Sequence, residues 1–161
     1  MPEDFRVLGE AFVERRRAFL RDRLPRPLLH PADSATPSTV REHLLKEAED
    51  LYWNELAWEE ITGEETAAGG PLPEMVFAAF LAFVDGLLPD EPARARRDVV
   101  EDILAFLGEQ WARFGDELER GEDSGRAAYA RALTGELVDR VLWRLYQLTP
   151  EERDALFSAA P

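Results

Sequence analysis

Glu55 and Glu59 lie four residues apart in the stretch EDLYWNELAWEE (49–60), a spacing that sets two carboxylates side by side on one helix face. On a helical wheel started at Val40, the apolar residues Leu44, Leu45, Ala48, Leu51, Tyr52, Leu56 and Trp58 share one arc. Both glutamates fall inside that arc, at about 60° and 100°. Ionised carboxylates on an apolar face are costly unless ion-paired, protonated or bound to metal. Ion pairing calls for arginines of a neighbouring helix, such as Arg16 or Arg113. Metal binding calls for further oxygen ligands, and Glu101, Asp102 and Glu109 on a later helix complete a set suited to Mg²⁺ or Mn²⁺. All-helical pyrophosphohydrolases and carboxylate-bridged di-metal proteins hold ions in this way, so that arrangement implies an enzyme acting on a phosphorylated substrate. The third alternative is a contact surface anchored by Trp53, which falls outside the arc. Tyr52, Trp143 and Tyr146 are further aromatic candidates for it, the last two lying off the Leu133/Leu137/Val141/Leu145 stripe.

Other catalytic chemistry is thin. Cysteine is absent, which excludes disulfides and thiolate metal sites. His30 and His43 are the only histidines, and no E-x-x-H pair, glycine-rich phosphate loop or G-x-S-x-G occurs. The reading is therefore a non-enzymatic protein without a cofactor, with the Mg²⁺ or Mn²⁺ enzyme as the alternative.

Charge narrows the partner. The net charge is −14, which argues against nucleic acid because phosphates are repelled. Residues 1–31 carry seven Arg against five acids, whereas residues 32–92 carry one Arg and one Lys against fourteen acids. That acidic middle favours a protein or peptide partner with a basic patch. The arginine run RRRAFLRDR (15–23) is expected to balance the acidic second helix within the molecule or across a dimer.

These side chains need elements to hold them, and the pattern is helical throughout. Helices are expected over about 3–24, 38–62, 73–88, 92–120 and 124–148, with a short one opening at Thr149 and Pro150. The 161 residues thus predict an all-α, single-domain bundle of five main helices plus a short C-terminal helix. PRPLLHPADSATP (25–37) is a proline-rich connector and GEETAAGGPLP (63–73) a flexible loop. Asp90 is placed to cap the fourth helix, and Gly121 to stop it. The third helix is apolar nearly all round, which predicts a place in the middle of the bundle or at a homodimer interface. Its apolar run MVFAAFLAFV (75–84) has ten residues, about half of a membrane span. With an acidic N-terminus and no apolar signal core, a cytoplasmic protein is expected.

LPEMVFAAFLAFV (72–84), FLGEQWARFGDEL (106–118) and AAYARALTGEL (127–137) together resemble the TorD/NarJ-type maturation chaperones of molybdenum-containing oxidoreductases. The resemblance covers residues 72–137 and places the family's acidic motif position at Glu74. Met75 and Gln110 stand where that family has histidines. It implies a cytoplasmic, acidic, all-helical chaperone that binds a signal peptide or apoenzyme. The residues themselves point to the same class: a helical adaptor, chaperone or accessory subunit that presents acid and aromatics to a partner.

Overall fold

A computed structural model describes residues 2–24, 36–56, 73–91, 94–121 and 124–159. Seven helices and no strand occur among them: α1 (Pro2–Arg23), α2 (Ser38–Leu56), α3 (Pro73–Val76), α4 (Ala78–Leu87), α5 (Arg97–Arg120), α6 (Ser124–Leu145) and α7 (Pro150–Ala159). The chain is an all-α bundle, as its pattern predicts. Most of the proline-rich connector and of the 63–73 loop lies outside the described residues.

α5 is the hub. Val99, Val100, Ile103, Leu104 and Leu107 recur at helical spacing and are buried in a core shared with α1, α2, α4 and α6. α1 reaches α5 without side chains between them: a Cβ built on Gly9 lies 2.2 Å from the Gly108 carbonyl carbon. Two backbones meet this closely only where both residues lack a Cβ.

The third expected helix divides. Phe77 (φ −109°, ψ 34°) forms a turn between α3 and α4, and its ring is fully buried. α4 buries Phe80, Leu81, Val84 and Leu87, while Ala78, Ala79, Ala82 and Gly86 face solvent. It is a surface helix with one apolar face, not a central one. Small side chains make water exposure cheap, because little apolar area is involved.

Helix ends follow local chemistry in part. Thr149 and Glu152 form the reciprocal capping box of α7, with N–H to side-chain oxygen distances of 2.8 and 3.2 Å. Gly121 ends α5 in the left-handed region at φ 74°. α5 starts at Arg97 rather than near 92, and its first turn is held by Asp98 instead of Asp90. The Asp98 carboxylate accepts the Thr36 N–H and hydroxyl, both at 2.8 Å, and the Val99 N–H at 2.9 Å. Burial pushes the Asp98 carboxyl up, but those hydrogen bonds and Arg41 outweigh it and hold it below its ordinary value. α6 stops at Leu145, short of the expected 148. Gln147 adopts a left-handed φ of 53°, while the Leu148 N–H reaches back to Trp143 O (2.9 Å) and the Gln147 N–H to Arg144 O (3.3 Å). That pair of bonds is a Schellman motif.

Candidate functional site

Glu55 is half-buried on α2, inside the apolar arc, and its partner is neither Arg16 nor Arg113. Its carboxylate accepts the backbone N–H groups of Ala79 (2.8 Å) and Phe80 (3.2 Å). Phe77 precedes α4 without a side-chain cap of its own, so a glutamate from another helix caps it. Burial raises the Glu55 carboxyl above its usual value, and the two N–H groups only partly offset this.

The other carboxylates proposed for a metal are engaged elsewhere or apart. Glu101 pairs with Arg17 of α1, and Asp102 takes a two-pronged contact from Arg41 of α2, including Nη2–Oδ1 at 2.8 Å. Glu109 is half-buried on α5 and adds to the rise of the Glu49 carboxyl, which comes mainly from burial. Glu59 lies outside the described residues. Among the described residues, no three His, Asp or Glu side chains gather as a metal site. Two arginines of α1 reach α5 and α6 within the molecule, while Arg6 and Arg21 pair with Glu10 and Glu14 of α1 itself. Arg17 pairs with Glu101, and Arg16 Nε lies 3.3 Å from Asp139.

Three of the five partner-contact candidates are packed inside. Tyr52 is 0% exposed between Phe77, Phe80 and Phe106. Its hydroxyl is 2.7 Å from Thr134 Oγ1, and the threonine's single hydroxyl hydrogen goes to Ala130 O, so Tyr52 donates. Trp143 and Tyr146 are buried too, Trp143 beneath the guanidiniums of Arg140 and Arg153. The aromatics off the α6 stripe are therefore core, because α6 is covered on more than one side. Glu74 remains exposed and pairs with Arg140 at 2.7 Å.

Trp53 is at the surface, 40% exposed. Its ring stands edge-on to Tyr52 and Phe106, with centroids 5.0 and 6.5 Å apart. It lines a cleft of about 160 Å³ with Phe5, Gln110, Arg113, Phe114, Glu117 and Arg120. Gln110 is buried there, and its Oε1 has no hydrogen-bond partner among the described residues. An unsatisfied buried carbonyl oxygen is an unusual expense, and an N–H donor removes it.

A second, larger feature opens on the other side of the α1–α5 contact. It is a trough of about 740 Å³ between α1, α5 and α6. Phe12 and Trp111 stack on its floor, with centroids 4.2 Å apart. The Arg131 guanidinium lies 4.0 Å from the Trp111 ring. The α6 wall presents Ala128, Ala132 and Gly135 at successive turns, which leave the space open. Asp139 closes one end: it is 4% exposed, and burial pushes its carboxyl up to about 6 despite Arg16 and Arg140. Nothing in the sequence marked this trough except the spacing of small residues on α6.

The chain matches no protein-family model, no curated protein and no solved structure. No helix among the described residues is long and apolar enough to cross a membrane.

Proposed function

We propose that the chain is a cytoplasmic, non-enzymatic binding protein that docks a protein partner at the Trp53 cleft. The observation that carries this reading is an exposed tryptophan lining a cleft beside Phe5 and Phe114. Tryptophan is among the residues enriched at binding hot spots, and it loses little entropy here because Tyr52 and Phe106 already orient it. The partner supplies a basic patch opposite Glu42, Glu47 and Asp50, which are exposed on α2. Glu74 and Met75 stand exposed where the resemblance puts the acidic motif, so a redox-enzyme maturation role is a special case of the same reading.

The test is affinity capture from the host proteome with mass spectrometry, using the wild type and Trp53→Ala side by side. A partner held by the wild type and weakened tenfold or more by Trp53→Ala is expected, with the thermal midpoint moved by a few degrees at most. Equal capture by both proteins removes Trp53 from the interface. Turnover of a phosphorylated substrate that vanishes in Glu55→Gln replaces the binding role with a metal-dependent enzyme.

A further inference from the structure

Adjacent arginines of α1 reach different helices. Arg17 pairs with Glu101 of α5, and Arg16 Nε lies 3.3 Å from Asp139 Oδ1 on α6. The second pair is the less well made: its atoms are within ion-pair range but not aligned for a hydrogen bond. The Asp139 side chain is only 5% exposed, and ionising a carboxyl there costs desolvation that good hydrogen-bond geometry would have to repay. On α6 itself Arg140 attracts Asp139 and Glu136 repels it, and Arg140 is shared with Glu74 of α3. Arg15 of α1 and Arg131 of α6 lie along the same trough, where the α5 lining residues are the uncharged Trp111 and Leu118.

The part of α1 that covers Asp139 is the part least firmly held. Toward the N-terminus, the backbone contact of Gly9 with Gly108 and the buried Phe12 and Val13 fix the helix. Among residues 16–23, Leu20 alone is buried. A terminal segment that buries so little opens locally at low cost. Lifting it widens the trough that Asp139 lines and exposes the carboxyl to solvent. Covered, that carboxyl is pushed up to about 6 by burial, Arg16 and Arg140 offsetting only part; exposed, it returns to an ordinary 3.8. The covered state therefore holds the proton more tightly, and a rise in pH favours uncovering.

We infer that the C-terminal half of α1 is a proton-governed flap: protonated Asp139 lets it lie closed over α6, and ionised Asp139 lifts it. The flap does not depend on a partner at the Trp53 cleft.

The experiment is native-state hydrogen exchange of the full chain at pH 5 and pH 7.5, corrected for the intrinsic pH dependence of exchange. Amides of residues 17–23 are expected to open more readily than those of Ile103 and Leu104 at both pH values. Their opening constant is expected to rise about tenfold between the two, the linkage of a carboxyl whose pKa moves from about 6 to 3.8 on opening. Asp139→Asn removes most of that rise, leaving what Glu101 adds. Arg16→Gln steepens it, because the ionised acid loses its attracting neighbour while the protonated acid loses little. Opening no easier than in α5, an opening constant that falls with pH, the same rise in Asp139→Asn, or an Arg16→Gln effect equal at both pH values each overturns the proposal.

Discussion

Replacing Gly9 by alanine places a methyl carbon 2.2 Å from the Gly108 carbonyl carbon and 2.3 Å from the Glu109 nitrogen. Ordinary carbon contacts are about 3.5–4.0 Å, so α1 must withdraw by roughly 1.3–1.8 Å. A gap of 0.5–1 Å already forfeits a quarter to a half of each dispersion contact. Phe12, Val13 and Leu20 bury their side chains from α1, and full burial of such groups is worth about 1.5–3 kcal/mol each. Losing about half of that costs roughly 3 kcal/mol, against which alanine returns about 1 kcal/mol of helix propensity. The net is a destabilisation of about 2 kcal/mol, or a midpoint lowered by about 4–8 °C in a chain of this size. Gly135→Ala is the control. Its Cβ meets Trp111 Cδ1 at 3.6 Å, an ordinary contact, so the propensity gain survives and the midpoint rises. Calorimetry on the two variants gives the answer. If both substitutions shift the midpoint in the same direction, the close α1–α5 contact is not what sets the position of α1.

Tyr52→Phe removes the hydroxyl that donates to Thr134 and leaves the threonine's own bond to Ala130 O intact, so urea unfolding is expected to show a loss of about 1 kcal/mol. Glu55→Ala uncaps α4 from a distance; a cost of about 1–2 kcal/mol is expected, with faster hydrogen exchange at Ala79 and Phe80. If those two amides exchange as in the wild type, Glu55 is not their acceptor. Asp139 has a folded pKa of about 6 against an ordinary 3.8, so the folded state holds the proton more tightly. Stability from this group therefore falls as pH rises between those values, by about 3 kcal/mol in full. Asp139→Asn should gain on the wild type by up to that amount (about 3 kcal/mol) from pH 4 to pH 7, and a difference that stays flat with pH refutes the burial argument.

What was legible in the sequence is what short-range chemistry decides. The Thr149/Glu152 box and the Gly121 stop depend on residues within one turn, and they form as their types dictate. The wheel also placed Glu55 inside an apolar arc, where it is. Its partner was not legible, because a helix N-terminus has no side-chain signature and only the packing of α2 on α4 brings those N–H groups to it. Trp143 and Tyr146 misled for a related reason: one apolar stripe gives one buried face, whereas α6 is covered by α5 and also by α3 and α7 residues such as Glu74 and Arg153. The arginines of α1 were expected to seek the most acidic segment. Within the molecule Arg16 and Arg17 instead pair with Asp139 and Glu101, because α1 lies along α5 and α6.

The two clefts are not independent features of the surface. Phe5 and Phe12 flank Gly9 on α1; the first lines the Trp53 cleft and the second the trough. Both clefts take their second wall from α5. The contact at Gly9 and Gly108 fixes how far apart those shared walls stand, with no flexible side chain to absorb a change. A change that moves α1 outward therefore moves Phe5 as well, and with it the pocket beside Trp53. Coupling between sites requires an element whose position both sites bias, and α1 is placed to be that element. Displacing α1 is then expected to alter partner affinity at Trp53, so Gly9→Ala should weaken the partner as well as the fold. Unchanged partner affinity in folded Gly9→Ala would show that the position of α1 does not set the Trp53 cleft.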